Sequence, residues 1–260
     1  MRAAIGERAA GLLAALVALA AWEGVCRGGL VSPVLLAPPT RVAAAAYRLV
    51  LSPAVQQDIA YTAGVYALSL GVALVGGTLI GLLMGSSDRV YRLVNPFVVA
   101  LNCLPKIVLM PLITLWMGIG LQASVLLGAL MAAFPIAIAS CSGVRSLEQD
   151  LILLARSFHA GRWLTARAIV LPGITPFVVS GLRVGLSYAM VGVLTAEFFA
   201  SSQGIGYRMV ALVSNFQIDA FYGCLALVVA LALSVTGLVA TLERRLQGWR
   251  PAAPALRAGS

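Results

Sequence analysis

One histidine, His159, and one lysine, Lys106, occur in 260 residues. A histidine-based metal or catalytic cluster is therefore excluded. A P-loop needs a lysine inside GxxxxGK[ST], and Lys106 stands in NCLPKIV, so ATP cannot be held here through that motif. GxSxG, HExxH and paired-carboxylate patterns are absent too. The cysteines Cys26, Cys103, Cys141 and Cys224 are isolated and form no CxxC pair, which points away from a zinc site or a disulfide framework. Charged residues are only 10% of the chain, and nine of them are acids. No enzymatic chemistry, metal or resident cofactor is expected.

What is present is apolar length. Hydrophobic residues make up 61% of the chain, and the mean hydropathy is +0.98. These values belong to an all-α polytopic membrane protein. Six spans are expected, over residues 9–26, 59–87, 93–118, 121–144, 168–197 and 221–242. No small-x-small cleavage site follows the first run cleanly, so it reads as an uncleaved span. Pro96, Pro105 and Pro111 break the third, and Gly118-Ile-Gly120 turns into the fourth. Asp88 to Arg92 reads as a short charged loop, and Thr40 as the N-cap of a helix to Leu51. The segment SSQGIGYRMVALVSNFQIDA is mildly amphipathic and is expected at the surface. Gly77, Gly81 and Gly85 fall four apart, a face that another helix can approach closely, and Gly181 and Gly185 repeat the spacing.

The formal charge of +9 reflects topology. With the N-terminus inside, the cytoplasmic pieces hold Arg2, Arg8, Arg89, Arg92, Arg145, Arg156, Arg162, Arg167, Arg244, Arg245, Arg250 and Arg257. The opposite side holds Arg27, Arg41, Arg48 and Arg208. Twelve against four places both termini and the central loop 145–167 in the cytoplasm. Interleaved basic and aromatic residues of the kind that grip single strands are missing, so nucleic acid is not an expected partner.

Within that loop, Ser146 to Pro172 is the one stretch that lipid does not explain. Ser146 with Gln149 reads as a capping box, and Glu148 and Asp150 sit where the helix dipole favours acids. Leu147, Leu151, Leu154, Ala155 and Phe158 recur at helical spacing, leaving Glu148, Arg156 and His159 off the stripe. Gly161 is a C-terminal stop, and Pro172 and Pro176 constrain the next helix. A short amphipathic cytoplasmic helix is the result, suited to be gripped by a soluble partner.

Two cations remain inside spans, Lys106 and Arg183, each costing about 2.5–3.5 kcal/mol on insertion scales. One reading is a positively biased path for an anionic solute. The other is structural pairing, with Glu197 or with backbone carbonyls freed by Pro105.

At this point the chain resembles the permease subunits of bacterial ATP-binding-cassette importers. Their signature is Glu-Ala-Ala, three residues, Gly, nine residues, Ile, one residue, Leu-Pro. The spacing is met by Leu153, Leu154, Ala155, His159, Ile169, Leu171 and Pro172, with identity at Ala155, Ile169, Leu171 and Pro172. VSPVLLAPPTRV, LPKIVLMPLITLWMGIG and AEFFASSQGIGY resemble the nitrate, sulfonate and taurine group; relatives of that group also carry thiamine or flavin precursors. The resemblance implies a type I importer permease fold, one domain over 1–260, in a bacterial inner membrane. It implies a homodimer, two cytoplasmic ATPase subunits that hold ATP and Mg, and an external solute-binding protein. Leu154, Ala155, Arg156, Phe158, His159, Gly161, Arg162, Ile169, Leu171 and Pro172 would meet the ATPase; Lys106, Arg183 and Glu197 are the candidates for the path. The competing class is a channel or proton-coupled carrier, against which the spans lack a relay of Asp, Glu and His.

Overall fold

The computed structural model describes residues 2–32, 35–147, 157 and 161–247. Helices and their short connections make up these residues. In chain order the helices are α1 (Arg2–Arg27), α2 (Pro39–Leu51), α3 (Pro53–Gly85) and α4 (Asp88–Cys103). They continue with α5 (Met110–Met117), α6 (Leu121–Arg145), α7 (Leu171–Ala200), α8 (Ile205–Ser214) and α9 (Ile218–Gln247). Among the described residues four helices are long and apolar enough to cross a membrane. The count is five if α4 and the following Lys106–Met117 segment make one bent span.

That bend is 90° at a two-residue break, and one proline accounts for it. Leu104 is extended, with φ −68° and ψ 132°, because the ring of Pro105 disfavours the helical region for the residue before it. Pro96 lies inside α4 and Pro111 in the first turn of α5, where a missing N–H costs nothing. Only one of the three expected proline breaks therefore interrupts the chain.

Several local expectations change. Asp88 to Arg92 is not a loop but the start of α4, with Asp88 in the first turn where the dipole favours an acid. Thr40 does not cap α2; its N–H instead donates to Glu23 Oε2 of α1 at 3.0 Å. The Ser146 hydroxyl donates to the Gly143 carbonyl at 2.9 Å, at the end of α6. Gln149, Glu148 and Asp150, the rest of that expected N-terminus, lie outside the described residues. The helix before α7 starts early, at Arg162, and passes through one π-helical turn, Ala166–Val170. There the Leu171 N–H reaches back to Ala166 O, a wide turn that accommodates the missing N–H of Pro172.

Contacts divide the chain into two compact units. The first comprises Met1–Leu68, Ile107–Gly128 and Val191–Leu231. Its core includes Val65, Tyr66, Leu127, Val193, Ile205 and Cys224. The second comprises Ser69–Lys106, Ala129–Met190 and Ala232–Ser260. Its packing centres on α6. A Cβ on Gly77 would lie 2.7 Å from Ala133 O, and one on Gly81 2.5 Å from Ala137 O. From α7, a Cβ on Gly181 would come 2.8 Å from Ala139 Cβ. The two glycine series thus let α3 and α7 approach α6 more closely than any side chain would permit. Met84, Val98 and Cys141 seal the same unit, with Tyr91, Val94 and Phe134 around them.

Candidate functional site

The most connected polar group of the first unit is built on the start of α8. A helix begins with N–H groups that have no partner in the helix, and those at 204–206 are satisfied from elsewhere. Gly204 N–H donates to Asp58 Oδ1 at 3.0 Å, Ile205 N–H to Thr62 Oγ1 at 2.9 Å, and Gly206 N–H to Glu197 Oε2 at 2.8 Å. Thr62 uses its hydroxyl both ways, passing its own proton to Glu197 Oε1 at 2.8 Å. Arg208, in α8, pairs with the second oxygen of Asp58. Glu197 is fully buried, yet both carboxyl oxygens are engaged. Gly204 makes this possible: its φ is +100°, and a Cβ there would fall 2.5 Å from the Glu197 carboxyl carbon.

The segment expected at the surface is thus anchored at its first turn, with Ile205, Gly206 and Met209 buried. From the sequence, Glu197 is a path candidate, Arg208 enters only through the topology and Gly204 and Gly206 only through AEFFASSQGIGY, while Asp58 and Thr62 carry no signal. The Gly-x-Gly at 204–206 after an acid-bearing apolar helix is a signal for Gly204 and Gly206, whereas no local pattern points to Asp58 or Thr62.

Lys106 and Arg183 belong to the second unit and find partners there. Lys106 is 7% exposed; its ammonium donates to the Asn102 carbonyl at 2.9 Å and sits 4.8 Å from the centre of the Phe134 ring. Asn102 is in the last turn of α4, so the charge lies at a helix C-terminus, where the dipole favours it. Of the two structural pairings open to Lys106, the carbonyl freed near Pro105 is the one formed. Arg183 pairs with Glu243 of α9, not with Glu197.

Of the expected ATPase-facing residues, Leu154, Ala155, Arg156, Phe158 and His159 lie outside the described residues. Gly161 is exposed, and its carbonyl accepts the Thr165 N–H at 3.0 Å. Arg162 begins the helical turn that follows; Ile169 lies in the π turn, and Leu171 and Pro172 open α7.

Residues 77–248 match the binding-protein-dependent transport system inner membrane component family. The chain belongs to that family. The permease is 28% identical to the taurine transport system permease protein of Escherichia coli (strain K12), over 90% of this chain and 86% of that one. It is 32% identical to the riboflavin transport system permease protein of Chloroflexus aurantiacus, over 59% of this chain and 58% of the relative. Its fold resembles that of a chain in the inward-facing MetNI methionine ABC transporter, with TM-score 0.64 and 19% identity. That likeness covers 73% of this chain and 94% of the other.

Membership makes the permease a multi-pass membrane subunit of an ATP-binding-cassette importer and not an enzyme; the ATPase is a separate subunit. A binding protein and an ATPase are its partners by the same membership. Lys106, Arg183 and Glu197 all fall within the matched residues.

Proposed function

We propose that this permease forms the inner-membrane path for a small anionic solute of the sulfonate or taurine type. An external binding protein delivers the solute, and two ATPase subunits, which hold ATP and Mg, drive its passage. The observation that carries this reading is the near end-to-end match with the taurine permease, over 90% of the chain. Residues 1–260 act as one permease domain with six spans: α1, α3, the bent α4–α5 pair, α6, α7 and α9. The excess of arginines on one side orients both termini toward the cytoplasm. Two copies line one path, and the 151–165 region, with Arg156, His159, Gly161 and Arg162 foremost, transmits ATPase closure to the spans as a rigid-body movement.

A second solute class, a flavin, is favoured by one observation, the 32% identity with the riboflavin permease. That match covers 59% of the chain against 90% for the taurine relative, so the sulfonate reading is preferred.

The test is gentle detergent extraction of the tagged chain from its own cells, with the stoichiometry of what co-purifies, followed by uptake in vesicles. Two permeases with two ATPase chains and ATP-dependent taurine uptake is the expected result. A lone chain that moves solute without ATP overturns it in favour of a carrier; ATP-dependent uptake of riboflavin but not taurine selects the flavin.

A further inference from the structure

A recess of about 330 Å³ opens in the second unit between the end of α4, the middle of α6 and α7. Its polar lining comes from Asn102, Ser180 and Tyr188, and its apolar lining from Ile138, Ala139 and Val184. Ser180 and Tyr188 are eight residues apart, so they share one face of α7 about two turns apart. All three polar residues are exposed, Tyr188 by 45%. Serine hydroxyls in a spanning helix can fall back on the carbonyl one turn earlier, but the phenolic hydroxyl of Tyr188 cannot reach its own backbone and needs water or a protein partner. This wall is therefore suited to a water-filled path rather than to lipid.

The charge beside the recess has one sign. Lys106 Nζ is bonded to the carbonyl of Asn102, a lining residue, and lies over Phe134, the chain neighbour of the lining residue Pro135. None of the lining residues is acidic. In a membrane-embedded site such an ammonium acts through a low dielectric, and its field favours an anion there. The volume is at the lower end for small-molecule sites. It fits a short-chain solute and is tight for a flavin with its ribityl arm.

We infer that this recess is a solute-binding subsite for a small organic anion. Asn102, Ser180 and Tyr188 donate hydrogen bonds to a sulfonate-type headgroup, Ile138 and Val184 cover its short chain, and Lys106 supplies the positive field. The inference rests on the importer reading above and adds where the solute pauses within the permease.

The test uses the full importer, with its ATPase subunits and binding protein, in proteoliposomes with labelled taurine as probe. Asn102→Leu combined with Tyr188→Phe removes two donors and should slow taurine uptake about tenfold, with subunit co-purification unchanged. Because that pair of changes can disturb folding, a near-isosteric change gives an independent readout. Ser180→Cys, with Cys103→Ser as background, should react faster with an anionic methanethiosulfonate bearing a sulfonate than with its trimethylammonium analogue. Taurine should protect it. Wild-type uptake together with donor variants that transport at the wild-type rate, or labelling without charge preference or protection, overturns the recess alone. A wild-type importer that moves no sulfonate overturns both the small-anion reading and the recess.

Discussion

Glu197 Oε2 accepts the N–H of Gly206 at 2.8 Å, joining the end of α7 to the first turn of α8. A buried carboxyl group is costly unless its oxygens are occupied, and here a helix N-terminus and a threonine hydroxyl occupy them. Asp58 and Thr62, one helical turn apart on α3, complete the collar. This geometry makes Glu197 a fastening of the first unit.

Truncating that side chain should therefore be felt as lost stability. Glu197→Ala strands the Gly206 N–H and the Thr62 hydroxyl in a buried place and leaves a cavity, at a cost of about 3 kcal/mol. Glu197→Gln keeps an acceptor of the same size and should cost about 1 kcal/mol. Thermal unfolding of the purified importer in detergent measures both. Equal melting temperatures for wild type and Glu197→Ala would refute the fastening.

Two glycines of α3 form a matched pair for the packing argument. A Cβ on Gly81 meets Ala137 O and Ser140 Cβ at 2.5 Å, whereas one on Gly76 meets nothing within 4 Å. Gly81→Ala must push α3 away from α6 and should destabilise by about 1–3 kcal/mol. Gly76→Ala gains helix propensity and should be neutral or stabilising by up to about 1 kcal/mol. Opposite shifts in melting temperature are expected. If both substitutions are harmless, the close approach of these helices is not what holds the unit.

Four of the expected runs were legible because an apolar run of membrane length carries its own signal: α6 and α9 enclose theirs, and α3 and α7 cover theirs but for residues 86–87 and 168–170. Element ends were less legible, since competing partners decide them. Glu23, seventeen positions before Thr40, takes the N–H that a local cap would have used. Asp88 starts a helix because the dipole and Arg145, 57 positions away, both favour it there. The collar around Glu197 was hidden for the same reason: Thr62 lies 135 positions from its acceptor, and no local periodicity encodes such a distance. Lys106 reads from the sequence as needing a partner, with Glu197 and the carbonyls near Pro105 both open, and the structure pairs it with the Asn102 carbonyl.

Gly161 tests the coupling role proposed for the segment that leads into α7. Its carbonyl accepts both the N–H and the hydroxyl of Thr165, at 3.0 and 3.2 Å, and a Cβ there would meet nothing within 4 Å. Gly161→Ala should thus leave uptake near wild type. Gly161→Pro fixes φ and biases residue 160 away from helical backbone, stiffening the entry to the helix. ATP-driven uptake should fall at least about tenfold while the protein remains in the membrane; an uptake rate equal to wild type would remove Gly161 from the coupling role.

Arg183 and Glu243 allow the path and pairing roles to be separated by exchange of charge. The two side chains form an ion pair between α7 and α9, with Glu243 the more buried partner at 16% exposure. Arg183→Glu places two carboxylates together and should lower stability by about 1–3 kcal/mol, with uptake lost in proportion to folded protein. Adding Glu243→Arg restores the pair with its direction reversed. If pairing is the role of Arg183, the double exchange recovers most of both stability and solute uptake, because the interaction between the two sites is what each single change removed. If Arg183 instead touches the solute, the exchange recovers the melting temperature but not uptake, since the positive charge now stands on another helix. Melting curves and initial uptake rates from the same four preparations decide between these outcomes, and the paired geometry predicts the first.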